Sequence, residues 1–429
     1  MAVPELCTGV WIMPKTVSIA PSWYWPEGTP RFCGIPPFGV QKMIVDRLCR
    51  SKSLDAPAIT GNNTSITVGQ LAAAVRELRR QRAAHQGETG AWQPIELCTG
   101  EPASTAAVAV AALTLDRVVS LRVGEGELGG GEPWLALEGA RVDAGRLFAG
   151  HPQASPTESS EGNRGLSAQM EPQTPAATGP GDLSVVGMAE NPAWAWRANV
   201  AGEPVHSQGS LVAQAISLSL FFRPLLDQPW SVALPPSNWL WPGAILTALY
   251  AGTVLTVMHP TQLAASARES LPSVLVCTMA DIGALARESK RELKGLRGSV
   301  SAVIASIEGV FDPGDRKRAE KMLGCPVLTV LGTKQVGPVV ASHPSWYVAE
   351  SVGIPVTNVD IVPVDPQSKQ PIQTLWELVE FADMTVRSPM GAPFRYAADG
   401  QSLERTSKIV DLEILASSDP NGMIYVIPA

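Results

Sequence analysis

Short apolar runs alternate with helical stretches along most of this chain, at the spacing of strand–helix–strand units. That alternation restricts the fold to an α/β class built on mostly parallel sheets. Ala56–Ile59 reads as a strand and Asn62–Asn63 as a turn. Thr67 is placed to cap a helix over 68–82, with Leu71, Val75 and Leu78 on one face. A strand at Ile95–Cys98, an alanine-rich helix over 103–115 and a strand over 118–123 complete the first set. Before them, residues 1–40 are rich in proline and tryptophan and read as an extended arm, followed by a helix over 40–50.

Residues 150–181 break the pattern. They are rich in Pro, Ser, Gly, Glu and Gln and bring too little apolar surface to offset the entropy of ordering, so they read as a flexible insert. The alternation resumes after 182. Strands are expected over 183–188, 231–234, 253–258, 274–277, 302–305 and 326–331, and helices over 210–222, 243–250 and 314–323. Beyond 345 short strands separated by Pro and Gly turns replace the helices. The expected organisation is an arm (1–40), a first α/β lobe (41–149), the insert (150–181), a second α/β lobe (182–345) and a small β-rich, barrel-like subdomain (346–429).

Composition narrows the function classes. With 45% hydrophobic and 17% charged residues the chain can bury a large core. A net charge of −7 without a basic stripe argues against a nucleic-acid partner. The longest apolar stretches, 210–222 and 242–258, fall short of the roughly 20 residues of a membrane span. No leader pattern opens the chain, and the six cysteines show no CxxC spacing, which fits free thiols in the cytoplasm. The five histidines lack metal-ligand spacing. The glycine-rich run 124–131 carries two glutamates that would repel a phosphate, so it reads as a turn. The twelve tryptophans cluster at 11–25, 194–196 and 230–241 and read as core or lobe-interface fillers.

Six segments then line up, in order, with the AMP-dependent synthetase/ligase (adenylate-forming) family. Asp55–Val75 resembles its opening region, and Cys98–Leu121 its helix–strand unit "NS-x-E…A-x-LA…PL". Leu234–Val257 is similar to "LP…H-x-x-G…V", and Leu323–Gly337 to the strand entering "YG-x-TE". Ser351–Pro366 resembles "SVG-x-P…I-x-D", and Val410–Ala429 resembles "TGDLG…DGY…GR". Trp25–Pro37 is similar to the lead-in of many acyl-CoA synthetases. The resemblance implies the large N-terminal domain of such enzymes, which join a carboxylate to ATP and usually pass the acyl group to a thiol.

It also implies where the chemistry should sit and what has changed there. The family's phosphate loop, "TSGTTG-x-PKG", falls on Trp194–Gly202. That segment has no hydroxyl, a single glycine (Gly202) and one cation, Arg197; no lysine occurs between Lys52 and Lys290. "YG-x-TE" falls on Leu331, Gly332, Thr333, Lys334 and Gln335: the adenine-stacking aromatic is a leucine, and the Mg-associated carboxylate is a neutral glutamine. The "H-x-x-G" histidine becomes Asn238 or Trp239. Asp411 matches the ribose-binding aspartate, with Arg405 as a weaker remnant. The family hinge "GR-x-KD" should begin near Pro428, so the C-terminal lid domain with its lysine is expected to be missing. Nucleotide-site candidates are therefore Gly332, Thr333, Gln335, Asp411 and Arg197, with ATP or AMP and Mg as the implied cofactors. The expectation is an acyl-CoA synthetase-like protein with impaired catalysis, serving as a scaffold, regulator or binder of an acyl group or acyl-CoA, with a protein partner or in a homo-oligomer. The alternative is an active acid–thiol ligase completed by a partner chain.

Overall fold

The computed structural model describes residues 25–44, 53–61, 64–85, 94–115, 117–122, 131–137, 140–148, 189–263, 274–287, 297–309, 311–372, 379–407, 409–419 and 421–426. The turn at 62–63, the insert at 150–181, the strand expected over 183–188, nearly all of the glycine-rich run 124–131, the distal part of the helix expected over 40–50 and the last three residues lie outside them.

The strands of the first half are β1 (Pro57–Thr60), β2 (Ser65–Thr67), β3 (Ile95–Cys98), β4 (Val119–Leu121), β5 (Trp134–Leu137), β6 (Ala140–Asp143), β7 (Pro192–Ala195) and β8 (Pro204–Ser207). Next come β9 (Trp230–Val232), β10 (Leu255–Val257), β11 (Val274–Thr278), β12 (Ala302–Ile307), β13 (Val327–Thr333), β14 (Gly337–Ala341) and β15 (Ile354–Pro355). The last are β16 (Asp360–Val364), β17 (Val379–Arg387), β18 (Phe394–Tyr396), β19 (Leu403–Arg405), β20 (Ile409–Ser418) and β21 (Ile424–Val426). The α-helices are α1 (Val68–His85), α2 (Pro102–Ala112), α3 (Ala144–Phe148), α4 (Gln208–Phe221), α5 (Trp241–Ala251), α6 (Met279–Arg287) and α7 (Pro313–Leu323).

These strands form three sheets. A nine-stranded sheet runs β15-β14-β13-β12-β11-β9-β10-β1-β2, parallel from β13 through β1. An eight-stranded sheet runs β19-β18-β8-β7-β4-β3-β5-β6, with a parallel centre of β3, β4 and β7 extended by antiparallel neighbours. A four-stranded antiparallel sheet, β16-β17-β20-β21, completes the α/β architecture. Strand exchange ties distant segments together: β1 and β2 join the sheet of β9–β13, and β18 and β19 extend the sheet of β3–β8.

Side-chain alternation explains the layering. In β11, Val274 and Val276 face one hydrophobic cluster while Leu275 and Cys277 face another. A strand with both faces covered reads as a continuous apolar run, as this one does. One face carries α4 and α5, apolar on nearly every side and buried along almost their whole length. The other carries α6 and α7, which turn Ile282, Leu285, Ala286, Ala319 and Leu323 inward and keep most of their charges outside, with Arg316 of α7 the buried exception. α1 begins at the expected cap, Thr67, which forms a capping box with Gln70: Gln70 N donates to Thr67 Oγ1 at 3.2 Å and Thr67 N to Gln70 Oε1 at 2.9 Å. α2 is capped by Glu101, which accepts from Ala103 N and Ser104 N.

The described part of the arm is laced to the core. Thr357 Oγ1 donates to the Pro30 carbonyl, Asn358 Oδ1 accepts from Cys33 N, and Gln208 Oε1 accepts from Val40 N. The four described cysteines, Cys33, Cys98, Cys277 and Cys325, are free thiols. No described helix is long and apolar enough to cross a membrane.

Candidate functional site

In an open parallel sheet, loops at the carboxyl ends of the strands diverge where the strand order reverses, leaving a crevice. Here β9 leads through α5 to β10 on one side, while β11 leads through α6 to β12 on the other. The crevice therefore opens over the loops following β9, β11, β12 and β13. These supply Asn238 and Trp239, Thr278 and Asp281, Glu308, and the turn 333–336.

Polar contacts knit this rim. Asn238 Nδ2 donates to Ser306 Oγ at 3.1 Å and to Glu308 Oε1 at 2.7 Å, while Asn238 Oδ1 accepts from Leu240 N at 2.8 Å. Thr278 Oγ1 donates to Asp281 Oδ2 at 2.6 Å. Partial burial, with the nearby Asp281 charge, pushes the Glu308 carboxyl above its ordinary range.

The floor is filled rather than open. Trp239 is buried, and its indole lies directly over Gly332. A β-carbon on Gly332 would stand 2.2 Å from the Gly337 carbonyl oxygen and 2.6 Å from the Trp239 ring. Backbone and ring close the site from both sides, which is why glycine occupies it. Gly332→Ala is expected to cost about 1–3 kcal/mol through forced displacement of packed groups. A urea midpoint that does not move would contradict this contact.

The segment Trp194–Gly202 has a definite role in the fold. Its first residues end β7, a central strand of the eight-stranded sheet, and Trp194 and Trp196 are buried. Trp194 stacks on Trp241 at 5.8 Å and meets Trp196 edge-on at 6.2 Å; Trp196 meets the His206 ring edge-on at 5.6 Å. The chain then turns back at Asn199 and Gly202, both at positive φ, into β8. Arg197 lies on this hairpin, and its Nε and Nη2 both donate to Glu203 Oε2, at 2.9 and 2.8 Å. The Glu203 side chain is 3% exposed, and Lys334 Nζ stands 3.8 Å from its other oxygen. The same ammonium lies 5.4 Å over the Trp196 ring.

His206 ties the hairpin strand to the turn after β13. Its Nε2–H donates to the Lys334 carbonyl at 2.7 Å, and Nδ1 accepts from Gln214 Nε2 at 3.3 Å. Burial lowers its pKa to about 4, so the imidazole is neutral.

Of the sequence candidates, Arg197, Gly332, Thr333 and Gln335 meet around this hairpin and turn. Gln335 is exposed, and its backbone carbonyl accepts from Ala392 N at 2.7 Å. Asp411 stands elsewhere, on an exposed position of β20 opposite Thr385, where Oδ1 accepts from Glu413 N at 3.0 Å. Its charge adds to that of Asp383, which accepts a hydrogen bond from Lys369 in the turn after β16. Arg405 reaches Glu190 and the Phe394 ring.

Sequence reading missed Glu203, and it treated Lys334 only as a motif position and His206 only as one of five histidines without metal-ligand spacing. A carboxylate six residues after Arg197, across a glycine turn, is the one local signal for the first. Nothing local links Lys334 to Glu203. Among the described residues, no group of three His, Cys, Asp or Glu side chains is placed to hold a metal ion.

No protein-family model and no curated protein matches the chain. Solved structures do. An ATP-bound RpMatB–BxBclM chimera matches with a TM-score of 0.64 at 12% identity, over 91% of this chain and 78% of its own. A double mutant of o-succinylbenzoate CoA synthetase (MenE) from Bacillus subtilis, bound to a product analogue, matches with a TM-score of 0.62 at 14% identity, over 90% and 78%. The amide bond synthetase McbA from Marinactinospora thermotolerans gives 0.60 at 15%, over 91% and 78%. The chain therefore has the fold of the adenylate-forming enzymes.

Proposed function

We propose that this chain keeps the adenylate-forming fold but does not activate carboxylates with ATP, and that it works in the cytoplasm as a binding or scaffolding protein. The reading is carried by the hairpin at the phosphate-loop position. A phosphate loop needs small residues, so that backbone N–H groups can approach the oxygens, and unpaired donors or cations facing the ligand. This hairpin begins on the buried indoles of Trp194 and Trp196 and has its cations engaged by Glu203. A triphosphate placed here would have to displace the Glu203 carboxylate from between Arg197 and Lys334. The residues present do not fit a triphosphate, and Gln335 supplies no charge for Mg. The crevice also carries Trp239 against Gly332, which supports a binding site limited to small or flat groups.

Two neighbours are an ATP-bound MatB from Rhodopseudomonas palustris and MenE in complex with AMP, which supports the other reading: an active acid–thiol ligase completed by a partner chain. Exchange of labelled pyrophosphate into ATP separates the two, measured with the purified chain and a panel of fatty, dicarboxylic and aryl acids. The expected result is no acid-dependent exchange. Robust exchange with any acid would establish the ligase reading instead.

A further inference from the structure

Two cations from separate segments meet beside this hairpin. Arg197 and Lys334 come from segments 137 positions apart, and both are about half exposed, with side-chain exposures of 53% and 41%. Between them lies one carboxylate, Glu203, at 3% exposure. Its Oε2 takes both Arg197 donors, while its Oε1 is buried and accepts no hydrogen bond, with Lys334 Nζ at 3.8 Å. Two cations thus converge on one buried anion, leaving a net charge of +1 at the mouth. The seat itself is rigid. The Lys334 carbonyl is held by His206, and the hairpin backbone is held by Gly202 N to the Tyr396 carbonyl at 2.8 Å and Tyr396 N to the Glu203 carbonyl at 3.1 Å.

We propose that Arg197 and Lys334 form a two-cation seat for a phosphate-type oxyanion, and that the chain's own Glu203 carboxylate occupies it as a built-in substitute. This deepens the reading given above and rests on it: the site is not merely eroded but self-filled. A fork from arginine and a point charge from lysine are the two ways side chains grip phosphate oxygens. A carboxylate satisfies the same donors while repelling any second anion. The bond pattern changes by ion exchange alone, with no covalent step.

The test is Glu203→Gln, which keeps the shape and removes the charge, titrated calorimetrically with inorganic pyrophosphate at low ionic strength. The variant is expected to bind pyrophosphate about tenfold tighter or more than the unaltered chain, as an exposed pair of cations should. Adding Lys334→Ala to it should abolish the gain. Equal binding by variant and parent, whether both bind or neither does, would overturn the proposal, because it would make Glu203 a structural counter-ion only. If Glu203→Gln folds poorly, its unfolding temperature is measured with and without phosphate or formate. A rise confined to the variant supports self-occupancy, and no rise overturns it. Pyrophosphate–ATP exchange by the unaltered chain would contradict the functional reading instead, so the two failures are separate.

Discussion

Arg316→Ala is expected to lower the unfolding free energy by about 3–5 kcal/mol, the usual cost of leaving a buried charge network without one partner. Arg316 lies on α7 with its side chain fully buried. Its Nη1 donates to the carbonyls of Ser351 at 3.0 Å and Val348 at 3.3 Å, and its Nη2 donates to Ser342 Oγ at 3.1 Å. The guanidinium lies 4.5 Å from the Tyr347 ring centroid, and Nε stands 3.5 Å from Glu320 Oε1. That carboxylate also accepts from Tyr347 OH and Val327 N. One side chain therefore fastens a helix to the loop 342–351 that joins β14 to β15 in the nine-stranded sheet. Truncation leaves two buried carbonyls and a carboxylate short of donors. Arg316→Lys should recover only part of the loss, because a point charge cannot reproduce the planar fork. Urea denaturation monitored by far-UV circular dichroism checks this; a loss under about 1 kcal/mol would show that water replaces the arginine, at odds with its burial.

Stability should also fall steeply in mild acid. His206 and His343 are both buried, and burial lowers each pKa from the ordinary 6.5 to about 4. Each is neutral by its contacts as well. His343 Nδ1 accepts from Ser345 N at 3.1 Å, which leaves Nε2–H to donate to Thr29 Oγ1 at 2.9 Å. Folded pKa values below the unfolded one mean that the unfolded chain binds more protons between pH 4 and 6.5. Stability is then fully present above about pH 6.5 and drains as pH falls toward 4, by up to about 3 kcal/mol for each histidine. His343→Gln, which keeps an amide donor and acceptor without a titrating group, should flatten half of that slope. Equilibrium unfolding at pH 7.5, 6, 5 and 4.5 measures it. A flat profile across that range would mean that the two rings are hydrated in the folded protein.

Much of the architecture was legible because local chemistry and tertiary role agree. Thr67 marks the start of α1, and the apolar run at 274–277 marks a strand, which the structure covers on both faces. Gly332, a nucleotide candidate by motif position, is packed against the Trp239 ring and the Gly337 carbonyl, where no β-carbon fits. What could not be read is the long-range pairing. β1 pairs with β10 and carries β2 at the sheet edge, rather than joining β3, because sheet order follows crossover geometry and not chain order. Likewise Glu203 and Lys334 meet only once β8 and β13 approach each other, and no periodicity encodes a contact across that separation. Motif position placed Asp411 with the nucleotide candidates, whereas its hydrogen-bond partner is its own strand, two residues on. Tryptophan content pointed to filled interfaces, and the stacked Trp194–Trp241 pair is one; the plug formed by Trp239 needed coordinates, because only they show which glycine it faces.

The functional reading requires that a hairpin walled by indoles, with Glu203 held between Arg197 and Lys334, cannot hold a nucleotide. Equilibrium dialysis of the purified chain against radiolabelled ATP, with and without magnesium, asks this directly. The predicted result is no saturable uptake up to concentrations on the order of millimolar, the weakest range a few stray contacts provide. Stoichiometric binding with a dissociation constant near or below about 10 μM, lost on Arg197→Ala, would contradict it.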